Sequence, residues 1–436
     1  MNKWRGRVVL LIATLGLVAA APSVSSAAER PCNGSVELCG RTLDQVVLPG
    51  THNSMNAAEP NPNGSNWALP NQLYSIPNQL QRGARVFLID TYYGERQSNG
   101  TVVGMSKSAG EAAGAETFMC HFNCSLGYVG LAGELGRIKD FLAANPREVA
   151  VFVNEDYIAP QDFAKAVNES GLLPYVYQGS AIRYPTLGEM IDSNQRVVMF
   201  AQSDAGTVPW YHLGYDGPIM ETPYDFDDPA QITDPARLHD SCAPNRGSEG
   251  SPLFLMNHWV LKNGVVPEQS SAAIDNTQQA IVNRARACEQ RRGKLPNLLA
   301  VDFYGIGDAS GAARELNGVT ASPYLELTAP KAATVKSKRK ATFKLSLSNF
   351  GDLEASGILI CAKVPAALGR KPKCVGVGPI ATNGSATAKV GILTKKRYRK
   401  GAGRVGFTLY SNQATLTTSA KLTVKPLKKP KKHRKA

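Results

Sequence analysis

The chain of 436 residues has room for one large domain and a smaller one, and 43% hydrophobic against 19% charged residues argues against a disordered protein. Its net charge of +14 is unevenly placed: residues 331–436 carry 25 basic residues against Asp352 and Glu354, or +23, whereas residues 1–330 carry 24 basic and 33 acidic residues, or −9. That division argues against nucleic-acid binding by the chain as a whole and marks a boundary near Pro323 to Pro330.

Residues 1–28 read as a signal peptide. Lys3, Arg5 and Arg7 precede the apolar run Val8 to Ala21, and Ser26-Ala27-Ala28 offers a small-residue cleavage site. The run is short for a bilayer span, so the expected product is secreted and soluble. All eight cysteines lie beyond the cleavage site, which in an exported chain argues for disulfides rather than metal ligands. Sequence neighbours suggest the pairs Cys32–Cys39, Cys120–Cys124, Cys242–Cys288 and Cys361–Cys374 among 105 possibilities.

Residues 29–325 form the expected large domain. Strand candidates are Val46–Leu48, Arg85–Asp90, Thr117–Cys120, Val149–Asn154, Arg196–Ala201, Leu253–Asn257 and Leu298–Phe303, with a weaker one near Ile219. Helix candidates alternate with them: Asn78–Arg82, Leu131–Ala144, Gln161–Glu169, Leu187–Asp192 and Ser271–Gln290. About eight alternations predict an α/β fold, a distorted TIM-type (β/α)8 barrel rather than an open sheet. No glycine-rich phosphate loop follows a strand.

Polar residues cluster at the predicted strand ends, where such barrels do their chemistry. His52 and Asn53 follow strand one, Asp90 ends strand two, His121 ends strand three, Glu155 follows strand four and Asp302 lies in strand eight. Alternation puts Val86, Leu88 and Asp90 on one face, so Asp90 points into the mouth if the other two fill the interior. Two facing histidines suit cleavage of a phosphodiester, one taking a proton from the attacking hydroxyl and the other giving one to the leaving oxygen. Asn53, Asp90 and Glu155 are hard oxygen donors of the kind Ca²⁺ prefers, and Asp302 is placed to hold the tautomer of His52. Each residue alone has a bland reading, as turn former, packed side chain or solvated loop; only their joint placement outweighs it. His258 is carried as a further substrate contact.

These residues resemble the catalytic X-domain of phosphatidylinositol-specific phospholipases C. The likeness runs from about Cys32 to Asp308, on Leu-Pro-Gly-Thr-His-Asn-Ser at 48–54, Arg-Gly-Ala-Arg-Val-Phe-Leu-Ile-Asp at 82–90, Cys-His at 120–121, Asn-Pro-Arg-Glu-Val at 145–149 leading to Asn-Glu-Asp at 154–156, and Ala-Val-Asp-Phe-Tyr at 300–304. The resemblance implies His52 as general base toward the inositol 2-hydroxyl, His121 as general acid and a cyclic phosphate intermediate. Arg85 and Tyr304, inside matching motifs, join His258 as substrate-binding candidates. The chain mixes two electrostatic solutions of that family. Asp90, Asn53 and Glu155 match the calcium-dependent forms, Asp302 matches the metal-independent ones, and Leu88 stands where a second strand-two acid is expected. Glycerophosphodiester phosphodiesterases share the barrel, but their His-Arg-Gly opening is absent. A catalytically silent, surface-binding barrel is the rival from another class.

Residues 326–426 show short alternating runs separated by Gly, Pro and Asn, which predict an antiparallel, immunoglobulin-like β-sandwich. Residues 427–436 form a basic tail expected to be disordered and, with that domain, to favour anionic membrane or cell-wall surfaces.

Overall fold

The structure is a computed structural model and describes residues 30–428; the expected signal peptide and nearly all of the basic tail lie outside the described residues. Eight parallel strands curl into one sheet: β1 Leu48–Thr51, β2 Val86–Arg96, β3 Ala150–Tyr157, β4 Val197–Ala201, β5 Tyr211–Leu213, β6 Ile219–Glu221, β7 Leu253–His258 and β8 Leu298–Val301. Their order is β5-β4-β3-β2-β1-β8-β7-β6, so each neighbours the next in sequence except at one seam. There β5 and β6 do not pair, and a single backbone bond from Ile219 N to Gly214 O (2.7 Å) spans the gap. The result is a TIM-like barrel with one open seam.

Period-two alternation sorts the strand residues. Leu48, Val86, Val151, Val153, Val198, Phe200, Ile219, Leu253, Leu255, Leu298 and Ala300 fill the interior, and Leu88 packs partly against them. Phe87, Ile89, Phe152, Met199, Phe254, Met256, Leu299 and Val301 face outward into the helical layer. Strands β1 and β2 approach so closely that a Cβ on Gly50 would collide with the Val86 carbonyl oxygen, which requires glycine there.

Several sequence expectations change, and the parallel strand Tyr211–Leu213 was not among the expected ones. The predicted third strand is Glu116–Met119 and lies outside the parallel set: it pairs antiparallel with the extended second half of β2, beside the short strand Val102–Met105. The predicted helix Ser271–Gln290 is two helices, Gln269–Asp275 and Gln278–Arg292, separated at Asn276-Thr277. Thr277 caps the second by accepting from Ala280 N (3.3 Å).

The four disulfides are Cys32–Cys39, Cys120–Cys124, Cys242–Cys288 and Cys361–Cys374. From Leu325 onward the chain forms two sheets over a separate core. Leu325–Thr328, Lys340–Asn349 and Ser385–Leu393 make one; Ala332–Lys336, Thr415–Lys425, Gly401–Tyr410, Ile358–Lys363 and Val375–Val377 make the other. Phe343 and Phe407 meet across them at 5.2 Å. The pairing is not wholly antiparallel, because Ala332–Lys336 runs parallel to Thr415–Lys425. This unit meets the barrel near the starts of its strands: Asn33 is bonded to Val149 just before β3, and Asp352 packs on Gly34 and accepts from Ser322 N (2.8 Å).

Candidate active site

His52 stands one residue past β1, and its place follows from the strands around it. Its backbone N–H donates to Val301 O (3.0 Å), continuing the β1–β8 ladder, while the Gln72 amide clamps both strand ends by donating to His52 O (2.8 Å) and Val301 O (2.9 Å). The ring lies flat on Trp259, with centroids 3.8 Å apart and planes 5° from parallel. Nδ1 is 3.0 Å from Asp302 Oδ1. A carboxylate can only accept, so Nδ1 carries the proton and Nε2 is left for proton transfer. Asp302, 3% exposed, is itself fixed by the Asn71 amide at 3.1 Å to each oxygen, and its backbone carbonyl accepts from Asn276 Nδ2 (2.6 Å). The break between the two helices therefore serves to deliver Asn276.

His121 is reached from the same carboxylate by a relay of amides. Asn71 turns its nitrogen to Asp302, so its oxygen faces Asn56 and accepts from Asn56 Nδ2 (2.7 Å). Asn56 Nδ2 also donates to Leu69 O (2.9 Å) and lies 3.3 Å from His121 Nδ1. Both protons of that amide already serve Asn71 and Leu69, so the contact fixes where the His121 ring lies rather than which of its nitrogens carries the proton. Burial, and then the charge of His52, push the His121 imidazolium down to about 4. The two rings share one site, one held by a carboxylate and the other kept neutral.

Left-handed backbone marks each corner of this constellation. Asn53 (φ 44), Phe122 (φ 60) and Phe303 (φ 48) directly follow His52, His121 and Asp302. Such conformations cost about 1–3 kcal/mol in bulky residues and persist where surrounding structure enforces them.

Asp90 and Glu155 are register partners in the β2–β3 ladder, both in phase with the barrel interior. Asp90 is 4% exposed, and burial followed by the Glu155 charge raises its carboxyl well above the usual range. The rings of Tyr92 and Tyr157 stack next to the pair at 4.4 Å, and Tyr157 donates to Glu155 (3.1 Å). Asn53 is buried, and its side-chain nitrogen has no partner among the described residues. On the other side of the mouth Glu221, at the end of β6, accepts from Arg246 Nε (2.5 Å), Asn245 Nδ2 (2.7 Å) and Asn257 Nδ2 (3.2 Å). The Arg246 guanidinium lies over Tyr215 at 4.0 Å and stays about one-third exposed.

The structure gathers His52, His121 and Asp302, and sets Asp90 beside Glu155, but it removes the three substrate-binding candidates from the mouth. Arg85 is buried where β2 begins, paired with Glu148 (2.7 Å) at the opposite end of the strand. His258 is fully buried, bonded to Asp275 O (2.8 Å) and 3.2 Å from Arg284; burial, then that guanidinium, push it down to about 3. Tyr304 is buried with its hydroxyl on Ser310 (2.6 Å), and it lines a cleft of about 440 Å³ at the junction with the small unit rather than the histidine site. Sequence reasoning missed Asn56, Asn71, Gln72, Trp259, Asn276 and Arg246. The amides and the Trp259 ring carry no charge pattern, Arg246 lies in a loop with no strand-end placement to mark it, and only the tightly polar Asn71-Gln72 pair ahead of a helix hinted at a role.

A PI-PLC X family profile (PI-PLC X 1) matches residues 38–317. Among curated relatives, an uncharacterized secreted protein of Arthroderma benhamiae is 29% identical over 67% of this chain and 65% of its own length, so the chain spans slightly under two thirds of that relative. A PI-PLC X domain-containing protein of the same fungus is 28% identical over 72% of this chain and 97% of its own length, and one from Arabidopsis thaliana is 26% identical over 55% and 53%. Among solved structures, a mutant of the phosphatidylinositol-specific phospholipase C of Staphylococcus aureus aligns over 65% of this chain and 94% of its own at 13% identity, with a TM-score of 0.40. With its profile match spanning most of the barrel and both histidines inside it, the chain belongs to the PI-PLC X domain family.

Proposed function

We propose that this protein is a secreted phosphodiesterase that cleaves phosphatidylinositol-type lipids by histidine acid–base catalysis. The observation carrying this reading is the chain of polar contacts His52–Asp302–Asn71–Asn56–His121, which runs between two imidazoles of one site. His52 Nε2 takes the proton from a headgroup hydroxyl beside the phosphate, and Asp302 with the Trp259 ring stabilises the imidazolium that forms. The oxygen attacks phosphorus, and its orientation is fixed in advance because it belongs to the same ring. His121 gives its proton to the departing glycerol oxygen. In the free protein it is neutral; the phosphate anion raises its proton affinity as substrate arrives. Water then opens the cyclic phosphate by the reverse roles.

The donor set fits a hard cation. Two adjacent carboxylates repel, burial and then the Glu155 charge raise the Asp90 carboxyl well above its usual range, and the buried Asn53 amide is an oxygen-bearing side chain on the neighbouring strand end. Asn53, Asp90 and Glu155 would hold Ca²⁺, which supplies positive charge to the phosphate oxygens. Arg246 with Tyr215 offers a fixed cation for the headgroup. Four disulfides suit an oxidising compartment outside the cell, and the basic small unit favours anionic surfaces.

The test is release of water-soluble phosphate ester from phosphatidylinositol vesicles, with Ca²⁺ and then with a chelator. Turnover that His52→Ala abolishes supports the reading. Vesicle binding with no turnover of this or any other phosphodiester favours the silent surface-binding barrel instead.

A further inference from the structure

The cleft of about 440 Å³ where the small unit meets the barrel is lined by no residue of the His52–His121 site. Its polar lining is short of partners. Asn383 buries both the nitrogen and the oxygen of its amide with no hydrogen bond among the described residues, on left-handed backbone (φ 56). Buried polar atoms are nearly always satisfied in a folded protein, so this amide lacks something the fold does not supply. On the barrel side, the Arg82 guanidinium lies over the Tyr74 ring at 3.7 Å and meets no carboxylate among the described residues. Arg314 stands between Asp308 (3.8 Å) and Asp352 (3.7 Å), too far from either for a hydrogen bond, so its N–H groups are also free. Glu354, on the small unit, is exposed and unpaired among the described residues.

The mixture of signs selects the ligand. An anion would face Asp308, Asp352 and Glu354, and an organic cation would face Arg82 and Arg314. No group of three or more acids, histidines and cysteines among the described residues is arranged to hold a metal ion. A neutral ring bearing adjacent hydroxyls satisfies both signs at once. Each hydroxyl can donate to a carboxylate or accept from a guanidinium, and one side-chain amide can accept from one hydroxyl while donating to its neighbour. Val47 and Pro49 give the same cleft apolar surface for the C–H face of such a ring.

We propose that this cleft binds a polyhydroxylated ring, either the sugar of a surface glycan or a free cyclitol, held between the small unit and the barrel. Asn383 and Glu354 come from one unit and Arg82 and Arg314 from the other, so the ligand closes the junction. The histidines stand apart from it, so a glycan held here leaves the catalytic mouth open. The site is independent of the phosphodiesterase reading and is tested by binding alone.

The experiment titrates the mature full-length protein by calorimetry with N,N′-diacetylchitobiose, maltose, myo-inositol and, as the anion, inorganic phosphate. At least one polyol should bind saturably and raise the melting temperature. Asn383→Gly deletes the amide and keeps a residue at home in left-handed backbone, and Arg82→Gln deletes an exposed guanidinium. Each should melt like the wild type without ligand and lose about tenfold in affinity, the scale of a lost hydrogen bond. A disaccharide bound in preference to inositol assigns the cleft to a glycan, and the reverse preference assigns it to a free cyclitol. Binding that neither substitution weakens puts the ligand elsewhere and overturns the proposal. A protein that binds phosphate and no polyol, or none of these probes, overturns it as well.

Discussion

His52 and His121 are the same side chain held in opposite ways. His52 grows from a parallel barrel strand, lies on Trp259 and gives Nδ1–H to a carboxylate. His121 sits on a disulfide-closed loop beside an antiparallel strand, touches the Asn56 amide, and has its imidazolium pushed down to about 4 by burial and the His52 charge. The acid role of His121 therefore depends on the bound phosphate anion raising its proton affinity. The acidic groups show a parallel contrast. Asp302 receives hydrogen bonds from His52 and Asn71, whereas Asp90 faces the like charge of Glu155.

The sharpest way to break the comparison is to remove either ring. His52→Ala and His121→Ala should each lower turnover of phosphatidylinositol vesicles by about 10²–10⁴-fold, and equal retention of activity in either would end the acid–base assignment. Asp302→Asn should cost somewhat less, about 10²–10³-fold, while leaving the His121 titration in place; proton NMR of the two imidazoles reads both effects.

The contrast between the acidic groups is tested by heat. Ca²⁺ at a hundredfold excess over its Kd should stabilise the wild type by about 2.7 kcal/mol, measured as a rise in Tm reversed by chelator. In Asp90→Asn that gain should vanish. Its metal-free form should be more stable than metal-free wild type near pH 7, since a carboxyl whose folded pKa is raised loses stability as pH rises through that pKa. A wild-type Tm indifferent to Ca²⁺ would remove the cation from the proposal.

The pH profile gives a smaller effect. The free protein must hold His121 protonated to use it as acid, so the alkaline limb of kcat/KM should lie below the ordinary imidazole value of about 6.5. The limb of kcat should lie higher, because bound phosphate favours the proton. The smallest effect belongs to Asn56→Ala. The kcat/KM limb should stay within about one unit of the wild type, since burial and the His52 charge, the causes of the shift, both remain.

Much of this molecule was legible in one dimension. Period-two alternation placed Val86, Leu88 and Asp90 on one face, and the interior packing follows it, because a strand's side chains can only alternate. The disulfide partners were neighbours in sequence and are partners in space, since short loops close at low entropic cost. His52, His121 and Asp302 stood out because ionisable residues beside apolar strands are costly without a purpose. What the sequence could not reveal was direction and partnership. Arg85 lies at the wrong end of its strand, His258 points into protein, and Tyr304 faces the junction, because a motif match carries residue identity but not where a side chain finds its partner. The antiparallel excursion that carries His121, the amide relay through Asn71 and Asn56 and the Trp259 platform join residues far apart in the chain. Their roles arise from hydrogen bonds and ring contacts that exist only once the barrel has curled and brought those segments together, so only the tertiary structure decided them.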